Sequence, residues 1–315
     1  TVAPAPAAGR PALVSVSPGS PYLRNIRGVV RTVRGRGGWL SVKTFRAGTG
    51  TGVRVTGRLG LGSPPRRVWR RVHHPWRFAA HVLVEQLVAV GIRARHRVGR
   101  RRVPRAARLL ASHRSRPLVE IVRRATKYSS NVFAEHLLLA AGAERFGRPA
   151  TFAKGRRTLR AHLRRWGIRP GTYRLQNGSG LSRRSRIRPA QLVRALEGIY
   201  TDLRHRPELL SSLPLAGIDG TLRRHYYMRR PVLGRVRAKT GTLRGALALS
   251  GYASAVHSDR ALAFSFLTAR VRNYGRVRRV QVALASRLLE YLDRLDVLGP
   301  GAVDPRRSPT ARTDR

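Results

Sequence analysis

The sequence predicts an α+β protein, an antiparallel sheet flanked by helices with a smaller β-rich region ahead of it. Three observations carry this expectation. Residues 38 to 63 alternate apolar and polar side chains between glycines, the pattern of half-buried antiparallel strands. From residue 75 the period changes to that of an amphipathic helix. Toward the other end, three apolar stretches lie close together and a helical pattern follows them, so strands and helices are segregated rather than strictly alternating.

Taken in order, residues 1–12 are rich in proline and alanine and are expected to be a disordered N-terminal segment. Residues 13–105 are expected to form a β-rich domain plus one helix. Its strands are "GWLSVKTF" and "GVRVTGRLGLG"; its helix places Phe78, Val82, Leu83, Leu87 and Val90 on one face and stops at Gly91. Residues 106–298 are expected to form the main domain. There "LLASHRSRPLVEIVRRATKYSSNVFAEHLLLAAG" reads as a strand end and two helices flanking Ser129, Ser130 and Asn131. A helix over 151–166 follows, then the glycine loop "QNGSGLSRRSRIRP" and a helix opened by Pro189, whose fixed φ suits a first turn. "PVLGRVRAKTG", "LRGALALSGYAS" and "RALAFSFLTA" read as neighbouring strands, closed by a helix from about Tyr274 to Leu295. Residues 299–315 are polar, broken by proline, and expected to be a disordered tail.

With 315 residues and 42% apolar content the chain can bury a core in two domains. Its 65 Lys and Arg against 14 Asp and Glu give a net charge of +51, a field able to hold polyanions. The arginines are spread over every segment rather than gathered on one helix or tail, so compositional bias explains them better than a nucleic-acid surface; nucleic-acid binding is expected to be non-specific at most. The absence of cysteine excludes a disulfide, a thiol nucleophile and a zinc–thiolate site. No apolar run approaches the ~18 residues of a transmembrane span. The chain begins at Thr1, and "TVAPAPAAGR" lacks the pattern of a secretory signal, so a processed form or a fragment is expected. His73, His74 and His81 have no carboxylate at matching spacing and read as solvated or core residues, with no metal implied. Glu135 and His136 are adjacent on a helix and point apart, so they are not a dyad.

Only four of the 65 basic residues are lysines, and one heads the strand Lys239, Thr240, Gly241. Such a tripeptide is common by chance. What singles it out is its place in a series: Ser-x-Asn at 129–131, "NGSGLSR" at 177–183, "DGTLRR" at 219–224, then the lysine strand. On these residues, and on "SVSPGSPY", "LGSPPRRVWRRV", "LPLAGIDGTL" and "GRVRAKTGTLRGALALSGYA", the chain from about residue 14 to residue 295 resembles the D-alanyl-D-alanine carboxypeptidase/endopeptidase family of low-molecular-mass class C penicillin-binding proteins.

The resemblance implies a β-lactamase/transpeptidase-like domain with part of an inserted β-rich domain. It implies a serine peptidase that acts through an acyl-enzyme on peptidoglycan stem peptides ending in D-Ala-D-Ala, outside the cytoplasm or in the periplasm, without metal or organic cofactor. Ser129, Asn131 and Lys239 would be catalytic: Ser129 relaying a proton, Asn131 holding the substrate amide, Lys239 providing a positive field for the terminal carboxylate. Thr240, Gly241 and Thr242 would bind substrate, through a hydroxyl, a close backbone approach and an oxyanion-hole N–H respectively. Ser130 would serve packing.

The family's nucleophile and base lie three residues apart, as S-x-x-K. The residues three before Lys43, Lys127, Lys154 and Lys239 are Leu40, Arg124, Thr151 and Val236. Only Thr151 has a hydroxyl, on a helix whose family counterpart is not catalytic, and arginine cannot replace lysine as a base. An N-terminally truncated peptidase is therefore expected, binding β-lactams only if the nucleophile is restored. Asn177 stands where the family pattern has aspartate. An inactive peptidoglycan-binding pseudoenzyme and an arginine-rich nucleic-acid-binding protein are the alternatives.

Overall fold

The computed structural model describes residues 1–94, 98–228 and 230–298. The chain divides into two compact units, Thr1–Ser112 and His113–Arg315, a boundary somewhat later than the one expected at residue 105. The expected tail at 299–315 lies outside the described residues.

In the first unit β1 (Val2–Ala3) pairs antiparallel with β2 (Leu13–Val14). Residues 1–12 are therefore not a disordered end. Val2 and Ala5 are buried, and the Ala5 N–H donates to the hydroxyl of buried Thr32 at 2.9 Å. Composition misled here because small apolar side chains can fill a core as readily as they populate a linker. The main sheet is built on β6 (Gly50–Gly60), which pairs antiparallel along its length with β5 (Gly38–Ala47), as expected. Its other edge takes two short strands in succession, β3 (Leu23–Arg27) and β4 (Val30–Val33), both parallel to it. Val2, Ala12, Val30, Val53, Val55 and Leu59 form the core, with Leu40 and Val42 against it. Helix α1 (Pro75–Ala89) begins at a proline and is followed by Gly91 at φ 84°. It contains no buried residue: Phe78 meets Tyr22, with ring centroids 5.8 Å apart, but Leu83 and Val90, expected on its apolar face, are 59% and 72% exposed.

The second unit starts without the strand end expected before its first helix; residues 113–117 have no regular structure. Then come α2 (Leu118–Lys127), α3 (Asn131–Phe146), α4 (Phe152–Arg165), α5 (Pro189–Tyr200) and α6 (Arg206–Ser212). Three strands follow, β7 (Val236–Leu243), β8 (Ala246–Ser254) and β9 (Ala261–Ala269), forming an antiparallel sheet in that order before α7 (Tyr274–Val297). Alternation along the strands sends Val236, Ala238, Leu249, Ala253 and Phe264 into one core with Ala285, Leu289 and Leu292 of α7. Each buried Leu or Phe there contributes about 1.5–3 kcal/mol. The opposite face meets α5, where the Tyr252 hydroxyl donates to the Leu196 carbonyl at 2.7 Å. Helices α3 and α4 cross at Gly142 and Gly155; a Cβ on Gly142 would lie 2.4 Å from the Gly155 nitrogen, so this crossing tolerates no larger residue.

Candidate active site

Strand β7 is an edge strand, and its first half is already covered on the outer side. The Ala216 N–H donates to the Val236 carbonyl at 2.8 Å, and the Ala238 N–H to the Pro214 carbonyl at 3.0 Å. Backbone groups alternate in direction along a strand, so Thr240 and Thr242 turn their N–H and C=O groups to this same outer side. Among the described residues no strand pairs with them there. The open edge thus begins at Lys239. Gly241 sits opposite Ala248, and a Cβ added to it would be 3.2 Å from that side chain.

Lys239 lies on the sheet face that carries Ser250, its cross-strand partner. Its Nζ donates to the Ser129 hydroxyl at 2.8 Å and to the Thr240 carbonyl at 2.6 Å. Both partners are neutral, and burial pushes the ammonium down to about 8. Two residues 110 apart in sequence are thereby brought into direct contact. Ser129 occupies the junction of α2 and α3 with φ 55°, in the left-handed region that a non-glycine residue rarely enters. Ser130 is the N-cap of α3, accepting from the Phe133 N–H at 3.5 Å, a more specific use than packing. Asn131 opens α3 and is exposed; no hydrogen bond joins it to Lys239 among the described residues.

The turn "DGTL" supports this contact from behind. Lys127, at the end of α2, donates to Asp219 at 2.5 Å and to the Leu213 carbonyl at 3.1 Å, while Asp219 also accepts from the Leu215 N–H at 2.9 Å. Burial raises the Asp219 carboxyl, but the hydrogen bonds from Lys127 and Leu215 and the lysine charge outweigh it and hold it below the usual range. Gly220 has φ 55°, and a Cβ there would stand 2.6 Å from the Lys127 carbonyl oxygen, so only glycine fits. The next residue, Thr221, accepts from the Thr240 hydroxyl at 2.9 Å. The turn therefore ties α2, which positions Ser129, to the strand that positions Lys239.

A second support is the glycine loop. Glu135 of α3 accepts from Asn177 Nδ2 at 2.8 Å, from the Gly178 N–H at 3.0 Å, and from the Ser179 N–H and hydroxyl at 3.3 and 2.5 Å. Burial opposes its charge; these donors, Ser179 first, lower its pKa overall. His136 points elsewhere, its Nδ1 2.8 Å from the Val132 carbonyl. Arg183 donates to the Arg244 carbonyl at 3.1 Å, linking the loop to the β7–β8 turn, which Tyr274 holds through Gly245 and Leu243. Sequence reasoning missed Glu135, Lys127 and Thr221 as site residues: each acts through partners far along the chain. Among the described residues no group of three His, Asp or Glu converges as a metal site, and His81 lies against Tyr22.

Residues 1–288 match the D-Ala-D-Ala carboxypeptidase 3 (S13) family. The chain belongs to that family. Among its relatives is D-alanyl-D-alanine carboxypeptidase DacB of Haemophilus influenzae, 32% identical over 191 residues, which are 60% of this chain and 40% of the relative. A D-alanyl-D-alanine carboxypeptidase of Actinomadura sp. strain R39 is 33% identical over 271 residues, 83% of this chain and 49% of its own. The S13 chain thus spans half or less of the length of these curated relatives. Among solved structures it is similar to penicillin-binding protein 4 (DacB) of Haemophilus influenzae in complex with a β-lactam, with a TM-score of 0.67 and 25% identity over 92% of this chain and 67% of that one. The fold is accordingly the α+β, transpeptidase-like one. No described helix is long and apolar enough to cross a membrane.

Proposed function

We propose that this S13 chain carries the substrate-docking wall of a serine-type D-alanyl-D-alanine carboxypeptidase or endopeptidase, working on peptidoglycan stem peptides outside the cytoplasm. The observation that carries the reading is the 2.8 Å contact between Ser129 and Lys239 at the start of an open strand edge. A lysine ammonium has three donors, of which two are directed at Ser129 and Thr240; the third, with the charge, is free for the terminal carboxylate of D-Ala-D-Ala. The Thr240–Thr221 hydroxyl pair can reverse its direction, with Thr221 donating to Thr240 and Thr240 donating to the same carboxylate. The peptide would lie along the outer side of β7, meeting the backbone groups of Thr240 and Thr242 as an added strand. Ser129 would pass a proton to the leaving D-alanine amine as the amide bond breaks, and Asn131 would hold the amide carbonyl of the substrate. The reading involves no metal or organic cofactor.

Acylation needs a serine activated by a base, and no serine in this sequence has a lysine three residues after it. Docking and acylation therefore separate. In calorimetry the chain is expected to bind a peptide ending in D-Ala-D-Ala, to bind the C-terminal amide of that peptide at least about tenfold more weakly, and to lose the preference in Lys239→Ala. Equal binding of acid and amide by the unmodified chain would remove the docking role. Labelled penicillin should leave no covalent adduct. An adduct on Ser129 would instead make Ser129 the nucleophile and Lys239, with its pKa near 8, the base.

A further inference from the structure

Arginine is so abundant here that most cationic neighbourhoods mean little, but one is walled. Arg156, Leu159 and Arg160 lie one turn apart on a single face of α4. Opposite them runs the segment from Gly171 to Gln176, and between the two is a cavity of ≈ 320 Å³. That is at the small end of ligand pockets, which run from about 300 to 1,000 Å³. Three arginines line it, Arg156, Arg160 and Arg174, and among the described residues no Asp or Glu does. Arg156 donates to the Gln176 carbonyl at 3.2 Å, whereas the side chains of Arg160 and Arg174 have no ion pair or hydrogen bond among the described residues. Tyr173 is also in the wall, while its hydroxyl is closed off from solvent. A cavity lined by uncompensated positive charge is the complement of an anion that accepts hydrogen bonds.

We propose that this cavity is a binding site for a phosphate group. Planar guanidinium forks match the oxygens of a phosphate, and a compact multivalent oxyanion balances three like charges better than a single carboxylate does. The site is separate from the Ser129–Lys239 contact and stands whether or not that contact docks a peptide. Its wall continues, through Gln176, into the Asn177–Ser179 loop held by Glu135, so an occupant would steady the approach to that loop.

The test is calorimetry of inorganic phosphate with the full chain at fixed ionic strength. One saturable site per chain is expected. Arg160→Gln with Arg174→Gln should weaken it by about tenfold or more, as loss of charge-assisted bonds requires. The same loss of charge at Arg101→Gln with Arg102→Gln, and Lys239→Ala, should each change it by less than about twofold. Both arginine pairs weakening it equally would mean general charge and overturn the site. Lys239→Ala abolishing it would move the anion to the strand and overturn it as well. Circular dichroism checks that each variant folds. Dimethyl phosphate separates the sources of the group: retained binding assigns the cavity to a phosphodiester polymer, lost binding to free phosphate or a monoester.

Discussion

At the scale of single residues, the site depends on a lysine whose proton is loosely held. With its pKa brought to about 8 by burial, Lys239 carries the charge that a carboxylate needs below that pH and sheds it above. Affinity for a D-Ala-D-Ala peptide should therefore fall as pH rises through about 8. Lys239→Arg should bind more weakly at every pH but show no such fall, because a guanidinium does not titrate in this range; a pH series of binding isotherms for both forms decides it, and an identical fall in the arginine form would assign the titration to another group. For stability the sign is opposite to that of a salt bridge. Between about 8 and the ordinary lysine value the unfolded chain binds more protons than the folded one, so Lys239 makes stability rise with pH over that window. Asn177 gives a second residue-scale case. Its amide donates to Glu135 at 2.8 Å, so Asn177→Asp would set two carboxylates in contact. A loss of about 1–3 kcal/mol at neutral pH is expected, with partial recovery in acid as the pair takes up a proton. An unchanged unfolding midpoint across that pH range would show that the loop does not depend on this contact.

At the scale of elements, the contact between Ser129 and Lys239 is only as accurate as the turn that joins their supports. Gly220→Ala forces a Cβ to within 2.6 Å of the Lys127 carbonyl at a φ of 55°, and either the turn or the end of α2 must move. The expected cost is about 1–3 kcal/mol, with peptide affinity reduced by more than the stability loss alone would explain. Thermal unfolding and binding measured on one preparation separate the two effects; wild-type affinity in a destabilised Gly220→Ala would exclude the turn from the site. The order of the main elements was legible because each has a local signature: Pro189 opens α5, period-2 alternation marks β7 to β9, and a small polar triplet sits between α2 and α3. The pairing of β6 with β3 and β4 had none, since parallel partners are chosen by tertiary context. The roles of Glu135 and Lys127 were equally hidden, because their partners are 42 to 44 and 86 to 92 residues away.

At the scale of the whole molecule, charge and site are separate properties. A net charge of +51 should give weak binding to duplex DNA of any sequence, with log affinity falling steeply and linearly in log salt. Recognition of one terminal carboxylate neutralises a single charge, so its salt dependence should be shallow. Parallel salt titrations with DNA and with the D-Ala-D-Ala peptide test this; a steep slope for the peptide would reduce the docking reading to general attraction. Composition misled at both extremes of reading. The proline-rich beginning suggested disorder where Val2 and Ala5 are buried, and arginine enrichment suggested only bias where α4 and residues 171–176 enclose a cationic cavity. In both places the deciding information is which surfaces face one another, and residue frequency does not contain it.

The left-handed backbone of Ser129 also has a consequence for what selection would do at this position. Glycine adopts such a φ at no cost, whereas a serine held there gives up stability of about 1 kcal/mol. Ser129→Gly should relieve that strain but take a partner from the buried Lys239 ammonium, a loss of at least comparable size, so the melting temperature should not rise. A library of this chain screened for heat resistance alone should accept serine and glycine alike at 129, and one screened for peptide turnover in a form that carries a nucleophile should keep serine. A glycine found there would then report a lineage released from the second pressure.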